Sequence, residues 1–273
     1  MRIDLHTHSN RSDGTDDPAV LIENAVRAGL DVVALTDHDA TTGWDEAQVA
    51  ADRLGIRLIR GIEISTTFHG ASVHLLGYEF DPHDPALNAE LDRVLAGRDR
   101  RLPRVLELLA EHGMPLTEAD VAAQSGNAAA SGRPHIADAM VDKGYVDHRD
   151  DAFDGWLDTG GKAYVARYSA PLETAIALVK AAGGRTVIAH PWSRDSQRVL
   201  SAEALADLAG MGLDGIEVDH NDHSAEAREA LRTIAADLNL VVTGSSDHHG
   251  AGKIDFDLGC NTTAPDQLER LLG

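Results

Sequence analysis

The sequence predicts an α/β fold on a largely parallel sheet, open or closed into a barrel, interrupted by a helical insertion. Three observations predict it. Strand-like and helix-like segments alternate through residues 1–84 and again after Ala170. Asp31–Thr36 is apolar without alternation, the pattern of a strand buried on both faces. Residues 85–162 show helical periodicity and no convincing strand. The expected division is therefore a sheet domain of residues 1–84 and 163–273, and an insertion of residues 85–162.

The elements follow in order. Arg2–His6 reads as a short strand, and Pro18–Gly29 as a helix with proline at its start and glycine at its end. After the apolar strand, Thr42–Leu54 is helical and Ile56–Ser65 a strand. Thr66–Phe80 reads as a hairpin turning near His69-Gly70, with His74 on the return limb. Within the insertion, Arg98-Asp99-Arg100-Arg101 suggests a solvated helix face, and Gln124–Gly132 a loop of small residues. The alternation then resumes: helix Pro171–Ala182, strand Thr186–Ala189, helix Ala202–Met211, strand Gly215–Val218, helix Ala225–Leu238, strand Val241–Gly244 and helix Pro265–Leu271.

Composition narrows the function. A formal charge of −21 argues against an extended nucleic-acid-binding surface. No stretch approaches the length of a membrane span, and the N-terminus lacks an apolar leader, so neither secretion nor a membrane location is expected. A single cysteine, Cys260, allows no internal disulfide and fits a reducing cytoplasm.

Metal-type side chains gather at the ends of the expected strands: His6, His8, Asp13, His38, Glu63, His74, His190, Asp247 and His249. One such histidine alone would be ordinary. Their shared placement is the signal, because burying so many imidazoles and carboxylates together is costly unless cations pair with them. His6 and His8 are two apart on a strand and project from one face, as do Asp247 and His249. Asp13 follows in a polar loop able to fold back, and a carboxylate such as Glu63 can bridge two cations. In a barrel these ends share one rim, where active sites are built. The chain therefore reads as a multinuclear metalloenzyme. Three divalent cations would bring six positive charges to three ligand carboxylates, so an acidic protein could still attract phosphate. Asp37 and Asp39 are expected to orient imidazoles; Asp219–His223, including His220 and His223, reads as a polar loop, with support of the metal ligands or an adventitious site as the alternatives.

These motifs resemble the polymerase and histidinol phosphatase (PHP) family of metal-dependent phosphoesterases: Asp4-Leu-His-Thr-His-Ser, then Ser-Asp-Gly-Thr, Leu-Thr-Asp-His-Asp, Gly-Ile-Glu-Ile-Ser and Ser246-Asp-His-His. The resemblance implies a distorted (β/α)7 TIM-like barrel with two or three metals. Carried over by motif, His6, His8, Glu63 and Asp247 would hold one, Asp13, His38 and His249 a second, and Glu63, His74 and His190 a third. Aspartate at position 13 favours manganese, with iron or zinc as alternatives. Ser131-Gly-Arg-Pro-His-Ile-Ala and Gly161-Lys-Ala-Tyr-Val resemble the branch acting on nucleoside 3′,5′-bisphosphates and short RNA 5′ ends. There the insertion covers the barrel mouth, which makes Arg133, His135, Lys162 and Arg167 candidates for holding a substrate phosphate. Trp192 and Ser193 before Arg194 depart from the small-residue run expected after His190-Pro191.

The expected chemistry is in-line attack by a metal-bridging hydroxide on the 3′-phosphate of a small phosphorylated nucleotide, with no Ser or Cys nucleophile. Histidinol-phosphate phosphatase and a non-catalytic polymerase-associated module are the alternatives.

Overall fold

Eight strands form one sheet in the computed structural model, which describes residues 1–193 and 196–273. They are β1 (Ile3–Asp4), β2 (Val32–Leu35), β3 (Arg57–Phe68), β4 (Ala71–Tyr78), β5 (Ala170–Pro171), β6 (Arg185–Ala189), β7 (Gly215–Asp219) and β8 (Val241–Gly244). The order β1-β2-β3-β4-β6-β7-β8 makes the barrel wall, and the two-residue β5 pairs with β3 outside that path. Closure comes from the ends: Asp247 N donates to His6 O (2.9 Å) and His8 N to His248 O (2.8 Å). Lower down, Thr263 bridges β1 and β8, donating its N–H to Ile3 O and receiving the Gly244 N–H on Oγ1.

All neighbours in the wall are parallel except β4, which runs antiparallel to both β3 and β6. Its hairpin turns at His69 (φ 46°) and Gly70 (φ 77°), two left-handed residues that match the twist of the flanking strands. His74 consequently reaches the rim from the early part of an antiparallel strand, opposite Ser65 and Ala189, and not from a strand C-terminus.

The wall's alternation splits the core in two. Ile3, Leu5, Val32, Ala34, Leu76, Tyr78, Val187 and Ala189 point into the barrel, whose floor is Leu268 and Leu271. Val33, Leu35, Ile62, Ile64, Leu75 and Ile188 face the opposite way, onto the surrounding helices. Those helices are α1 (Pro18–Arg27) and α2 (Trp44–Leu54) early in the chain.

Between β4 and β5 the chain forms α3 (Pro85–Glu111), α4 (Glu118–Ser125), α5 (Arg133–Asp142) and α6 (Arg149–Ala152), the region expected to be an insertion. Four more follow: α7 (Leu172–Ala181), α8 (Ala202–Gly210), α9 (Ala225–Asp237) and α10 (Pro265–Leu272). Helix α3 joins two cores. Leu87, Leu91 and Val94 pack with the barrel, whereas Val105, Leu106 and Leu109 pack with Ile136, Met140 and Leu157 in a separate cluster. Among the described residues no helix is long and apolar enough to cross a membrane.

Candidate metal centre

Glu63, buried on β3, is the hub of the rim. Its Oε2 lies 3.3 Å from His6 Nε2, 3.2 Å from His8 Nε2 and 3.2 Å from His38 Nδ1. Its Oε1 lies 2.7 Å from His74 Nδ1 and 3.2 Å from His190 Nε2. Asp247 Oδ1 faces the same two nitrogens of His6 and His8 at 3.4 and 3.3 Å. Asp13 closes the far side, 3.3 Å from His249 Nε2 and 3.7 Å from His38 Nε2. All nine residues expected from the sequence are thus brought into one continuous cluster. The grouping differs at two histidines: His38 faces Glu63 with Nδ1 and Asp13 with Nε2, and so falls with Glu63 and His74 as well as with Asp13 and His249. His8 serves two sides, with Nε2 toward Glu63 and Asp247 and Nδ1 toward Asp13 at 3.7 Å.

Apart from the 2.7 Å hydrogen bond between His74 and Glu63, the separations around Glu63 and Asp247 fit cations better than hydrogen bonds. Ligand bonds of ~2.1 Å at roughly tetrahedral or right angles place donor atoms ~3.0–3.4 Å apart, longer than the ~2.9 Å of an ordinary N–H···O contact. His6 Nε2, His8 Nε2, His38 Nδ1 and Asp13 Oδ1 are buried atoms with no hydrogen-bond partner. Lone pairs left over in this way are what a metal uses. The charge balance agrees. Burial opposes a proton on His8, yet the adjacent carboxylates of Asp247 and Glu63 raise its pKa to about 10, so protons alone must otherwise offset these carboxylates. His38, by contrast, is pushed down to about 3 by burial against the pull of Glu63 and Asp13. Cation loading should therefore stabilise the fold. Stripping the protein with a chelator should lower its Tm, and a divalent cation at ~100 times its Kd should restore about 2.7 kcal/mol, seen by thermal unfolding with and without metal.

Outer contacts aim the ligands. His6 Nδ1 is 3.2 Å from Glu217 Oε1, and the other Glu217 oxygen accepts from His190 N (2.9 Å). His249 donates Nδ1–H to Asp247 O (2.8 Å), leaving Nε2 for Asp13. Ser193 Oγ is 3.0 Å from His190 Nδ1, so the unexpected residues after Pro191 include one that orients a ligand. Arg194, which follows them, lies outside the described residues. His190 (φ 30°) and Asp247 (φ 53°) hold left-handed backbone, a strain found where side chains are aimed for function.

The PHP domain family matches residues 4–148. The chain belongs to the PHP family. It is 35% identical to a 5′-3′ exoribonuclease of Haemophilus influenzae, over 91% of this chain and 90% of that one. A 3′,5′-nucleoside bisphosphate phosphatase of Chromobacterium violaceum is 34% identical over 96% and 92% of the two chains. A solved structure, described as a metal-dependent phosphoesterase of Bifidobacterium adolescentis, superposes with a TM-score of 0.93 at 41% identity, covering 99% of this chain and 95% of that one. This PHP protein is a metal-dependent phosphoester hydrolase on a TIM-like barrel, not a non-catalytic module.

A basic cleft adjoins the metal centre of this PHP enzyme. Arg11, Ser12, Asp13, His38, Leu95, Arg98, Ala130 and His135 line it. Arg98 and Arg101 correct the reading of a solvated helix face: at spacing three they share one side of α3 and are 8% and 6% exposed, while Asp99 and Arg100 face solvent. Arg98 binds Asp39. Burial and the nearby charges of Arg167, Arg133 and Arg98 lower Arg101 to about 9, and its Nε has no hydrogen-bond partner. His135 is buried at the cleft, with Nδ1 accepting from Gly132 N (2.9 Å). Arg167 donates to Tyr168 O (3.0 Å), and Arg133 to Leu157 O (3.2 Å). Lys162 is engaged differently, its ammonium 4.4 Å from the centroid of the Trp156 ring.

Two expectations about flanking residues change. Asp37 binds Ser9 and Ser12, and Asp39 binds Ser65 and Arg98, so they fasten loops and the insertion, with no imidazole among their hydrogen-bond partners. His220 is not part of a solvated loop. It is fully buried, takes the Asp222 N–H on Nδ1 and therefore presents Nε2–H to Asp247 Oδ2 at 3.2 Å. His223 is buried as well, donating to Val218 O and accepting from Trp192 N. Glu217 had a visible signal, a carboxylate inside an apolar strand.

Proposed function

We propose that this PHP enzyme removes the 3′-phosphate from nucleoside 3′,5′-bisphosphates, and also trims short oligoribonucleotides from the 5′ end, with manganese as its metal. The observation that carries this reading is Arg101: a buried guanidinium among other guanidinium groups, with an unsatisfied Nε, one helical turn beyond Arg98, which lines the cleft beside the rim. Such a group is costly unless an anion completes it. A substrate with a single phosphate spends that phosphate at the metal centre. A second phosphate fills the basic cleft, which histidinol phosphate, carrying an ammonium group, would not do. The named activities of the Haemophilus and Chromobacterium relatives support the same class.

Divalent cations, when bound, supply water that ionises near neutral pH and neutralise charge on the phosphoryl oxygens. The chain does the rest. Its nine rim residues hold the cations, Glu217 and His220 fix His6 and Asp247, and Arg98, Arg101 and Arg167 draw the remote phosphate into register. Fixing both ends of the substrate aligns the scissile bond for in-line displacement.

Manganese-loaded protein should release inorganic phosphate from adenosine 3′,5′-bisphosphate, and His8→Ala should not. Arg101→Met should raise KM for the bisphosphate about 10- to 100-fold, as expected for loss of a charge-assisted hydrogen bond, and leave adenosine 3′-monophosphate nearly unaffected. No turnover of any phosphorylated nucleotide by fully metallated protein would defeat the proposal.

A further inference from the structure

Asp247 presents its two oxygens very differently. Oδ1 faces the nitrogens of His6 and His8, whereas Oδ2 receives His220 Nε2–H at 3.2 Å and the Lys253 ammonium at 2.5 Å. Two donors on Oδ2 leave a single oxygen for a cation. Lys253 lies in the loop after β8, half-buried, its ammonium 3.7 Å from the centroid of the Phe256 ring. The preceding residue connects this loop to the insertion. Arg149, at the start of α6, donates Nη1–H to Gly252 O (2.8 Å) and grips Asp138 of α5 with Nε and Nη2 (2.7 and 2.5 Å). A Cβ on Gly252 would stand 2.6 Å from Arg149 Nη1, so glycine there allows the guanidinium its close approach.

We propose that Lys253 is a positioning residue that holds Asp247 to one-oxygen ligation, and that Arg149 ties its loop to the helical insertion. This inference rests on the reading of Asp247 as a metal ligand. The strap Asp138–Arg149–Gly252–Lys253–Asp247 makes the insertion part of the metal centre's support. Charge and orientation act in opposite directions here. Removing a positive charge beside the site would by itself tighten cation binding, whereas releasing Asp247 weakens it.

The test is calorimetric titration of chelator-stripped full-length protein with Mn²⁺ alone. Lys253→Met should weaken one class of Mn²⁺ sites about 10- to 100-fold, the usual effect of losing an outer-shell partner. Lys253→Arg should recover most of that affinity, and Arg149→Met should lose part of it. Tm of the metal-free variants should stay near that of the parent, and kcat for phosphate release should fall more than KM rises. Unchanged or tighter Mn²⁺ binding by Lys253→Met would overturn the proposal, and unchanged binding by Arg149→Met would overturn the link to the insertion. A parent protein that takes up no Mn²⁺ would instead sink the metalloenzyme reading itself.

Discussion

Glu63→Gln is expected to cut kcat by at least about 10²–10³-fold and to empty more than one cation site. No other side chain reaches five imidazoles, those of His6, His8, His38, His74 and His190, among the described residues. The two oxygens divide these rings, three to Oε2 and two to Oε1, so one carboxylate supports two groups of ligands. Burial opposes its ionisation, but the charges of His38, His74 and His6 hold its pKa well below the usual carboxylate range. Glutamine preserves the volume and one oxygen, but it removes the charge and turns an amide N–H₂ toward nitrogens that need an acceptor or a cation. The measurements are bound metal per chain by elemental analysis and phosphate release at saturating substrate. A variant that keeps its full metal complement and turnover would show that Glu63 bridges nothing.

The sequence made the rim legible because most ligands sit beside a strand whose pattern is unambiguous. His6 and His8 follow an apolar strand start, His38 follows the uniformly buried β2, and His190 follows β6. Spacing of two on extended backbone then fixes a common face. What escaped notice depended on tertiary partners. Asp37 and Asp39 look like neighbours of an imidazole in the chain, yet their carboxylates turn to Ser9, Ser12, Ser65 and Arg98. His220 obeys the strand-end rule as well as His190 does, at the end of β7, but a run of polar neighbours disguised it. Arg98 and Arg101 read as solvated because a charged tetrad carries no sign of which face will be covered. Only the packing of α3 across two cores decides that. Lys253, a loop lysine, offered no signal.

Asp39→Ala should cost about 3–5 kcal/mol, the penalty for leaving a buried charge without its partner. Asp39 is 1% exposed and sits at φ 57° just after His38. Its Oδ2 accepts from Arg98 Nε (3.1 Å) and Nη2 (2.7 Å), while Oδ1 takes the Ser65 N–H at 2.7 Å. One carboxylate thereby pins α3 of the insertion to β3 of the barrel. Burial opposes its charge, but Arg98 and Arg167 lower its pKa below the ordinary value. Alanine leaves the Arg98 guanidinium with Ser65 Oγ (3.1 Å) as its remaining partner, in a place water barely reaches. It also puts a residue poorly suited to left-handed backbone at this position, a smaller penalty of ~1 kcal/mol. Two further variants separate the terms. Asp39→Gly relieves the backbone strain and keeps the unpaired charge, whereas Asp39→Ala combined with Arg98→Met removes both charges and should recover well over half of the loss. Urea unfolding of the metal-free proteins gives the free energies. If the double variant is no more stable than Asp39→Ala alone, the buried pair is not what joins the insertion to the barrel.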